Sequence, residues 1–420
     1  MQLPTRDSFL PEKLNNYIRS CIASCKEFYF LPFDVYEGHE FANGRLNFTL
    51  TLYGVTMAGE KLAVQLNNID VFVDVLVPKG ESPGVFAEKI MFEINEYMHD
   101  KKKCYKPIRN ECIKRNVFHH YNNEEADLVR VYFDTTFGRL YAIDYLHDNY
   151  TTYSNDQGKN KYHLKVMREY GLKLAAWNKV VNYSVVDRGF NIPAYKTNIS
   201  NFTPFYDEKL KKQLQDEKWL VCTWDIESYS HYPDGKVATD RIYKNGELWD
   251  CVFMISMTFH WYQSTDTLLS VTITDLPVPK NPRGLTINCA NQVEIIKSFA
   301  DVIEAMRPDF ITGFNDGEYD FPFIVRRAKE FNLIEYMKEK MSCLTYTTQT
   351  AQYNIRGTPI SRTGDLIGHR IKLAADITQT CITFDCPGYI AFDTRSAFRR
   401  LQDFKAAEYS NLNYFLKRNK

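Results

Sequence analysis

Hydrophobic and polar positions alternate over residues 29–79, and this alternation predicts a strand-rich beginning of the chain. It contains three predicted strands, at residues 46–53, 61–65 and 71–77, and a turn at residues 54–60. Beyond it, apolar residues at helical spacing and one further alternating run predict helices at 83–99, 138–146 and 162–170 and a strand at 128–133. Strands that alternate with helices indicate an α+β domain with ferredoxin-like elements, which we assign to residues 1–204.

The second half of the chain has a different order of elements. A highly charged stretch over residues 205–218 predicts a linking helix. The elements predicted after it are strands at 219–227, 251–262 and 268–275, a helix at 291–306, a strand at 309–314 and a helix at 321–333. This order is typical of a ribonuclease-H-like sheet. We therefore expect an α/β domain with a mixed sheet over residues 205–420.

Asp225 and Glu227 stand at the end of the first strand of this second domain. Side chains two positions apart on a strand point to the same face, so the two carboxylates are predicted to project together. Adjacent carboxylates repel one another unless a proton or a cation lies between them, and Mg²⁺ prefers carboxylate oxygens. The pair is therefore a candidate metal site, while an isolated D-x-E is also typical of an acidic surface turn.

A third acid, Asp320, stands in a second informative segment, residues 311–324. A strand is predicted to end at Gly313, a turn follows, and a helix begins after Asp320. Asp320 is predicted to cap this helix, and Pro322 fits its first turn. Asp316 is a competing acid, but the Asp-Gly pair that it begins is typical of turns, so we expect a turn role for it.

Composition narrows the classes of function. The 420-residue chain carries 52 basic and 52 acidic residues, so binding of a polyanion must come from a local patch. One candidate is residues 101–115, which hold seven basic residues and one acid, although such a stretch is also typical of a solvated surface. The ten cysteines lack the spacing of a zinc site, and Cys222 and Cys251 are expected to be reduced core residues. No apolar run is long enough to span a membrane, and we expect an intracellular protein.

The acidic segments resemble the first two exonuclease motifs of family B DNA polymerases. The first motif is Asp225-Ile226-Glu227, and Asn315, Tyr319-Asp320 and Pro322-Phe323 match the second in type and spacing. Asn155 with residues 162–177, and residues 388–393 with 411–413, resemble further blocks of the family. The resemblance covers residues 30–420, and its character is that of polymerases of large cytoplasmic DNA viruses of the asfarvirus kind.

This resemblance implies a 3′→5′ exonuclease that hydrolyses 3′-terminal nucleotides of single-stranded DNA with two divalent cations, Mg²⁺ or Mn²⁺. By analogy, Asp225 would bridge both cations, Glu227 would bind the cation that activates water, and Asp320 would hold the second. Asn315 would position Asp320 or an oxygen of the terminal nucleotide. Phe314 would stack on the frayed DNA end, with packing in the core as the alternative.

The third exonuclease motif of the family, Y-x₃-D on a helix, supplies a fourth carboxylate and a tyrosine that orients water. Tyr389 and Asp393 have this spacing, but residues 388–392 predict a strand, so we expect that motif beyond Lys420. No polymerase carboxylate motif is present in the chain either. We therefore expect the N-terminal and proofreading portion of a replicative polymerase, incomplete at its C-terminus and impaired as an isolated nuclease.

The resemblance also implies partners: DNA, as a single-stranded 3′ end or a primer-template, and the remaining polymerase domain or subunit. The viral character would place the protein in the host cytoplasm. Two alternatives stay open. The chain could be a non-catalytic nucleic-acid-binding or assembly module of a split polymerase, using residues 101–115. It could also be a stand-alone ribonuclease-H-like nuclease, which needs Asp393 within metal reach of Asp225.

Overall fold

The computed structural model describes most of the chain. The described residues are 3–25, 27–42, 45–103, 105–119, 122–153, 156, 161–205, 218–231, 250–279, 282–345, 366–372, 378–384, 386–401 and 412–418. The linking helix predicted at 205–218 lies almost entirely outside these residues, as do Asn155 and Asn411 of the matched blocks.

The N-terminal part contains two sheets. Its elements are α1 (Glu12–Cys25), β1 (Glu27–Ala42), β2 (Arg45–Val55), β3 (Lys61–Asn67), β4 (Val71–Leu76), α2 (Pro83–Asp100), β5 (Pro107–His119), β6 (Asn122–Phe133), α3 (Thr136–Asn149), α4 (His163–Glu169), β7 (Asn178–Val181), β8 (Ser184–Val185), β9 (Ala194–Asn198) and β10 (Phe202–Pro204). The larger sheet has the order β10-β7-β1-β2-β3-β9-β8, and the smaller has the order β4-β6-β5.

The predicted elements of this part are confirmed at the level of strands and helices. The four predicted strands correspond to β2, β3, β4 and β6, and the three predicted helices correspond to α2, α3 and α4. The smaller sheet is built in the order strand, helix, two strands, helix, from β4 to α3. Ferredoxin-like elements stay a prediction for this part.

The basic stretch at 101–115 lies largely within an antiparallel hairpin. Strand β5 pairs with β6 from Pro107↔Phe133 to His119↔Asn122. Several of its charges meet partners within the chain: Arg115 donates to Glu169 at 2.7 and 2.6 Å, Lys114 lies 3.8 Å from Asp127, and the Arg109 guanidinium lies 3.3 Å from the centre of the Tyr132 ring. These contacts weaken the hypothesis that the stretch faces phosphate groups.

The C-terminal part is organised around one six-stranded sheet. Its elements are β11 (Leu220–Ser230), β12 (Asp250–Trp261), β13 (Thr267–Thr274), β14 (Leu285–Asn288), α5 (Gln292–Met306), β15 (Phe310–Gly313), α6 (Asp320–Glu330), α7 (Ile334–Met341), β16 (Leu366–Lys372), β17 (Thr378–Phe384), β18 (Ile390–Asp393), α8 (Thr394–Leu401) and α9 (Leu412–Arg418). The sheet order is β14-β13-β12-β11-β15-β18.

This sheet is mixed, as predicted. Strand β11 is antiparallel to β12 and parallel to β15, and β15 is parallel to β18. The predicted order of three strands, a helix, a strand and a helix is confirmed, with β14 as an additional strand before α5. Because β11, β15 and β18 run in the same direction, their carboxyl ends meet at one edge of the sheet.

The Trp224 side chain extends from β11 into the centre of the core. Its side chain is 2% exposed, and its ring lies 5.0 Å from Phe299 of α5 and 4.7 Å from Phe321 of α6. Aromatic pairs of this kind contribute about 0.5–1.5 kcal/mol each beyond the burial of their area. The two helices are therefore held firmly against the strand that carries Asp225.

Two further expectations concern cysteines and membranes. Cys222 and Cys251 are buried free thiols, as predicted. None of the helices in the described part of the chain combines the length and the apolar character that a membrane crossing requires.

Arg6 connects the beginning of the chain to the sheet of the C-terminal part. Its buried guanidinium donates to both carboxylate oxygens of Asp309, at 3.0 and 2.8 Å. Asp309 is fully buried and also accepts a hydrogen bond from the main-chain N–H of Leu220 at 2.8 Å. Lys61 of β3 lies 3.4 Å from the same carboxylate. Since Asp309 directly precedes β15, this network holds the N-terminal part against β11 and β15.

Candidate active site

Strand β11 presents Asp225 and Glu227 on one face. Along this strand Trp224 and Ile226 are buried, whereas Asp225 and Glu227 are exposed. The predicted projection of both carboxylates from the same face is therefore confirmed. A β-bulge between Glu227 and Ser228 then shifts the pairing with β12. Bulges re-aim side chains, and here the shift begins directly after the second acid.

Asp320 is the first residue of α6, and its carboxylate bonds to β11. Its Oδ1 accepts a hydrogen bond from the main-chain N–H of Ile226 at 3.1 Å, and its side chain is buried. The prediction that Asp320 occupies the N-cap position is wrong, because Tyr319 holds that position. The physical reason is that the carboxylate reaches across to the strand, where it satisfies a main-chain donor beside Asp225.

The carboxyl groups of Asp225 and Asp320 lie close enough for each to change the pKa of the other. Burial and, after it, the charge of Asp225 raise the pKa of Asp320 to about 7. The pKa of Asp225 is raised by the loss of hydration at its carboxyl group, while the bonds from Asp320 and from the Ile226 N–H oppose this rise. Two carboxyl groups in this arrangement retain a proton that a cation can replace.

Asp225 and Asp320 fit a divalent cation as ligands, but the set of ligands is incomplete beyond this pair. Asp225 and Asp320 offer oxygen donors, which hard divalent cations prefer. Within the residues that the structure describes, no three His, Cys, Asp or Glu side chains lie close enough together to hold a metal ion. The exposed Glu227 is therefore on the correct face but is not gathered with the pair, and Asp393 does not join Asp225 and Asp320 in such a group.

Asp316 is buried beside the pair, which the sequence did not indicate. It lies in the predicted turn, but it is 0% exposed, and its Oδ2 accepts a hydrogen bond from the Trp224 indole Nε1 at 3.2 Å. Burial, together with the charges of Asp393 and Asp320, raises its pKa to about 8. Its second oxygen, Oδ1, is buried and has no hydrogen-bond partner among the residues that the structure describes.

Asp393 stands at the end of β18, opposite Gly313 of β15. The segment is a strand, as predicted, so Tyr389 and Asp393 do not form a helical Y-x₃-D motif. The Asp393 Oδ1 accepts hydrogen bonds from the main-chain N–H groups of Asn315 at 2.9 Å and Arg395 at 2.8 Å. Its carboxylate thus fixes the loop after β15 to the beginning of α8.

Asn315 and Phe314 follow β15 at the same edge of the sheet. Asn315 has a left-handed backbone (φ 72°), and its side-chain oxygen accepts a hydrogen bond from the Arg395 guanidinium. Phe314 is half-buried, with its ring centre 5.9 Å from that of Phe415 in α9. Both residues therefore lie near the acids, and both have partners inside the protein.

Sequence reasoning missed a hydroxyl pair and an arginine at this edge. The Tyr319 and Ser228 hydroxyls lie 2.5 Å apart, next to Asp320 and Glu227 in the sequence. Arg395 lies two residues after Asp393 and bonds to the loop after β15. Arg395 could have been predicted from its position directly after β18, the third parallel strand, since the carboxyl ends of such strands share an edge.

Comparison with curated proteins finds viral DNA polymerases. The chain is 28% identical over 389 residues to the "DNA polymerase beta" of African swine fever virus (isolate Tick/Malawi/Lil 20-1/1983), covering 92% of this chain and 29% of that protein. It is 31% identical over 88 residues to a DNA polymerase of Pyramimonas orientalis virus, covering 21% of this chain and 7% of that protein. The chain thus spans about three tenths of the length of the swine fever virus relatives.

Among solved structures, the family B DNA polymerase from the hyperthermophilic archaeon Pyrobaculum calidifontis matches with a TM-score of 0.47 and 16% identity, over 72% of this chain and 32% of that one. The model of the exonuclease domain of DNA polymerase family B matches residues 160–409, which is more than half of the chain. This match agrees with the viral relatives and with the acidic edge of the sheet. The chain belongs to DNA polymerase family B, whose exonuclease domain it contains.

Proposed function

We propose that this chain carries the 3′→5′ exonuclease site of a replicative family B DNA polymerase, with Asp225, Glu227 and Asp320 as its catalytic, metal-binding acids. The observation that carries the proposal is the bond from the Ile226 N–H to Asp320 Oδ1, by which β11 and α6 bring the carboxyl groups of Asp225 and Asp320 together from distant positions in the chain. The raised pKa values of both acids fit a site designed to exchange a proton for a cation.

The proposed donors of this site are all carboxylate oxygens, which favours Mg²⁺ or Mn²⁺. The number of two ions follows from the resemblance to family B exonucleases. Asp225 would contact both ions, with Glu227 on one and Asp320 on the other. Such ions would supply charge stabilisation at the phosphoryl oxygens of the bond that is hydrolysed. The chain's own task is to hold the three carboxylates at one edge and to bring the terminal phosphodiester to them.

The substrate that fits this edge is a single-stranded 3′ end of DNA. Asn315 and Phe314 follow β15, the strand next to β11, and we propose that they contact the terminal nucleotide. A half-buried aromatic ring offers a face on which any base can stack, so Phe314 suits a site without sequence preference. Its contact with Phe415 fixes the orientation of that ring.

We further propose that residues 1–204 form an α+β domain with ferredoxin-like elements and that residues 205–420 form the exonuclease domain. Two clusters of buried apolar side chains support this division, one within residues 18–202 and one within residues 220–389, while a third cluster, which includes Leu31, Tyr53 and Leu344, joins the two parts. Primer-template DNA and the polymerase domain or subunit are the proposed partners. The host cytoplasm is the proposed location, on the basis of the swine fever virus relatives.

The test is a cleavage assay on 5′-labelled single-stranded DNA, with and without Mg²⁺. We expect slow, cation-dependent shortening from the 3′ end, because no third acid joins the pair among the described residues. Asp225→Ala and Asp320→Ala should lower this rate further, by about 10²-fold, the scale on which single charge-stabilising groups act. Asp266→Ala, an exposed acid between β12 and β13, is the matched control and should retain the activity. Salt-sensitive binding of DNA without Asp225-dependent cleavage would favour a non-catalytic module and contradict the proposal.

A further inference from the structure

Asp393 is the last residue of β18, and its side chain is only 3% exposed. A buried carboxylate destabilises the fold unless hydrogen bonds satisfy it. Its Oδ1 accepts two such bonds, both from main-chain N–H groups, at 2.9 Å from Asn315 and at 2.8 Å from Arg395. Within the described residues Asp393 does not join Asp225 and Asp320 in a metal-binding group, so its burial at this edge needs an explanation other than metal binding.

The main-chain partner Asn315 has a backbone conformation that needs support. Its φ of 72° lies in the left-handed region, which residues other than glycine adopt at a cost in free energy, although asparagine tolerates it better than most. Such a conformation persists where the surrounding structure holds it. The bond from the Asn315 N–H to Asp393 is a contact of this kind, because it fixes the peptide group on the N-terminal side of that residue.

Two threonines join the same two segments of the chain. The Thr394 hydroxyl donates to the carbonyl oxygen of Gly313 at 2.6 Å, and the Thr312 hydroxyl donates to the carbonyl oxygen of Phe392 at 2.7 Å. The strands β15 and β18 are thereby held side by side as far as Gly313, which the register pairs with Asp393. The bond from Asn315 to Asp393 extends this connection two residues into the loop after β15.

Asn315 also connects Asp393 to the beginning of α6. Its carbonyl oxygen accepts hydrogen bonds from the N–H groups of Glu318 and Tyr319, each at 3.1 Å, and Tyr319 directly precedes Asp320. Asp320 has an anchor of its own, the bond to the Ile226 N–H. Removal of the Asp393 carboxyl group should therefore release the loop that holds Asn315 more than it displaces the acid Asp320.

We propose that Asp393 is a positioning residue of the exonuclease site, whose carboxyl group holds Asn315 in its left-handed conformation and so sets where Phe314 and Asn315 meet the terminal nucleotide of a single-stranded 3′ end. This inference rests on the proposed exonuclease function. It assigns Asp393 to the binding of DNA and not to the binding of the cation. A loop that is in the competent conformation for one tenth of the time binds its ligand about tenfold more weakly.

The experiment titrates the full chain into single-stranded DNA whose 3′-terminal base is 2-aminopurine, with Ca²⁺ in place of Mg²⁺ so that the DNA stays intact. The emission of this base changes when it stacks, so the titration gives the Kd of the terminal nucleotide. We expect Asp393→Ala to raise this Kd about tenfold. Asp393→Asn should retain the wild-type Kd, because its carboxamide oxygen can accept both main-chain bonds and the replaced Oδ2 has no hydrogen-bond partner among the described residues. Asp301→Ala, which removes an acid bonded to Tyr336, is the matched control and should leave the Kd unchanged.

A second measurement separates positioning from a general loss of structure. The rise in Tm with Mg²⁺ reports on Asp225 and Asp320, and Asp393→Ala should retain it. An unchanged Kd in Asp393→Ala, an equal rise in Kd in Asp393→Asn, a joint loss of DNA and Mg²⁺ binding, or no change in emission with the wild type would each overturn the proposal.

Asp393→Ser answers the same question if Asp393→Ala does not melt cooperatively. The serine side chain is too short to serve both main-chain donors, so this variant should also raise the Kd, and a wild-type Kd would contradict the proposal. Failure of the exonuclease proposal would appear separately, as DNA whose 3′ end is bound by the wild type but is not shortened in Mg²⁺.

Discussion

The Asp320 Oδ1 accepts a hydrogen bond from the main-chain N–H of Ile226 at 3.1 Å, and this bond holds the Asp320 carboxyl group beside that of Asp225. One acid is buried at the beginning of a helix and the other is exposed on a strand. The bond to the Ile226 main chain holds the beginning of α6 against β11. The distance between the two acids therefore does not depend on a flexible side chain alone. Two of the three proposed ligands are therefore positioned before a cation binds.

Divalent cations should stabilise the folded chain. A ligand at one hundred times its Kd stabilises the native state by about 2.7 kcal/mol, which corresponds to a rise in Tm of several degrees. We expect Mg²⁺ and Mn²⁺ to produce such a rise in the wild type and in the control Asp266→Asn. Asp225→Asn and Asp320→Asn should abolish it in a thermal-shift titration. An equal rise in all four proteins would place the cation elsewhere.

Asp316 should make the metal-free protein less stable as the pH rises. Its pKa is raised in the fold from 3.8 to about 8, so the folded state holds the proton more tightly than the unfolded state. Its stabilising contribution is complete below about pH 4 and is lost as the pH rises towards about 8. Asp316→Asn retains an oxygen for Trp224 and removes the titration.

We therefore expect Asp316→Asn to melt at nearly the same temperature as the wild type at the acid end of this range. Near pH 8 the variant should be more stable by about 1 kcal/mol or more, since one pKa unit corresponds to about 1.4 kcal/mol. Thermal denaturation in the presence of EDTA measures this difference. Parallel melting curves for the two proteins across the range would contradict the raised pKa.

The hydroxyls of Tyr319 and Ser228 should be energetically coupled. They lie 2.5 Å apart and link the residue before Asp320 to the residue after Glu227. Tyr319→Phe keeps the ring beside Phe323 and removes only the hydroxyl. In a double-mutant cycle with Ser228→Ala, urea denaturation should give a coupling of about 0.5–1.5 kcal/mol. Strict additivity of the two single variants would show that the hydrogen bond contributes nothing to stability.

Arg6 should be much more important to stability than an exposed arginine nearby. Its removal leaves Asp309 fully buried with a weaker set of partners, and breaking a buried pair costs about 3–5 kcal/mol. Arg19 pairs with Asp7 and Glu60, but its side chain is 46% exposed, so Arg19→Ala should cost about 0–1 kcal/mol. The free energies of unfolding of Arg6→Ala and Arg19→Ala test this difference, and equal values would refute it.

The sequence predicted what depends on local pattern. The alternation in β11 and the turn before α6 were sufficient to place Asp225, Glu227 and Asp320, because a strand face and a helix start are set by neighbouring residues. The burial of Asp316 was not predictable, since it depends on Trp224, which is distant in the sequence. The strand β5 was also missed, because its outward-facing charges find partners only after pairing with β6.

The contact between the Trp224 indole and Asp316 also makes the site observable by light. The indole is buried between two phenylalanines and donates to a carboxyl group whose charge depends on its acidic neighbours. Its excited state responds to the local electric field, so the emission of this one ring reports on the ionic state of the acidic edge. Trp224 is therefore an intrinsic optical probe one residue before the first proposed ligand, and its emission can be read in a variant in which the other four tryptophans are replaced.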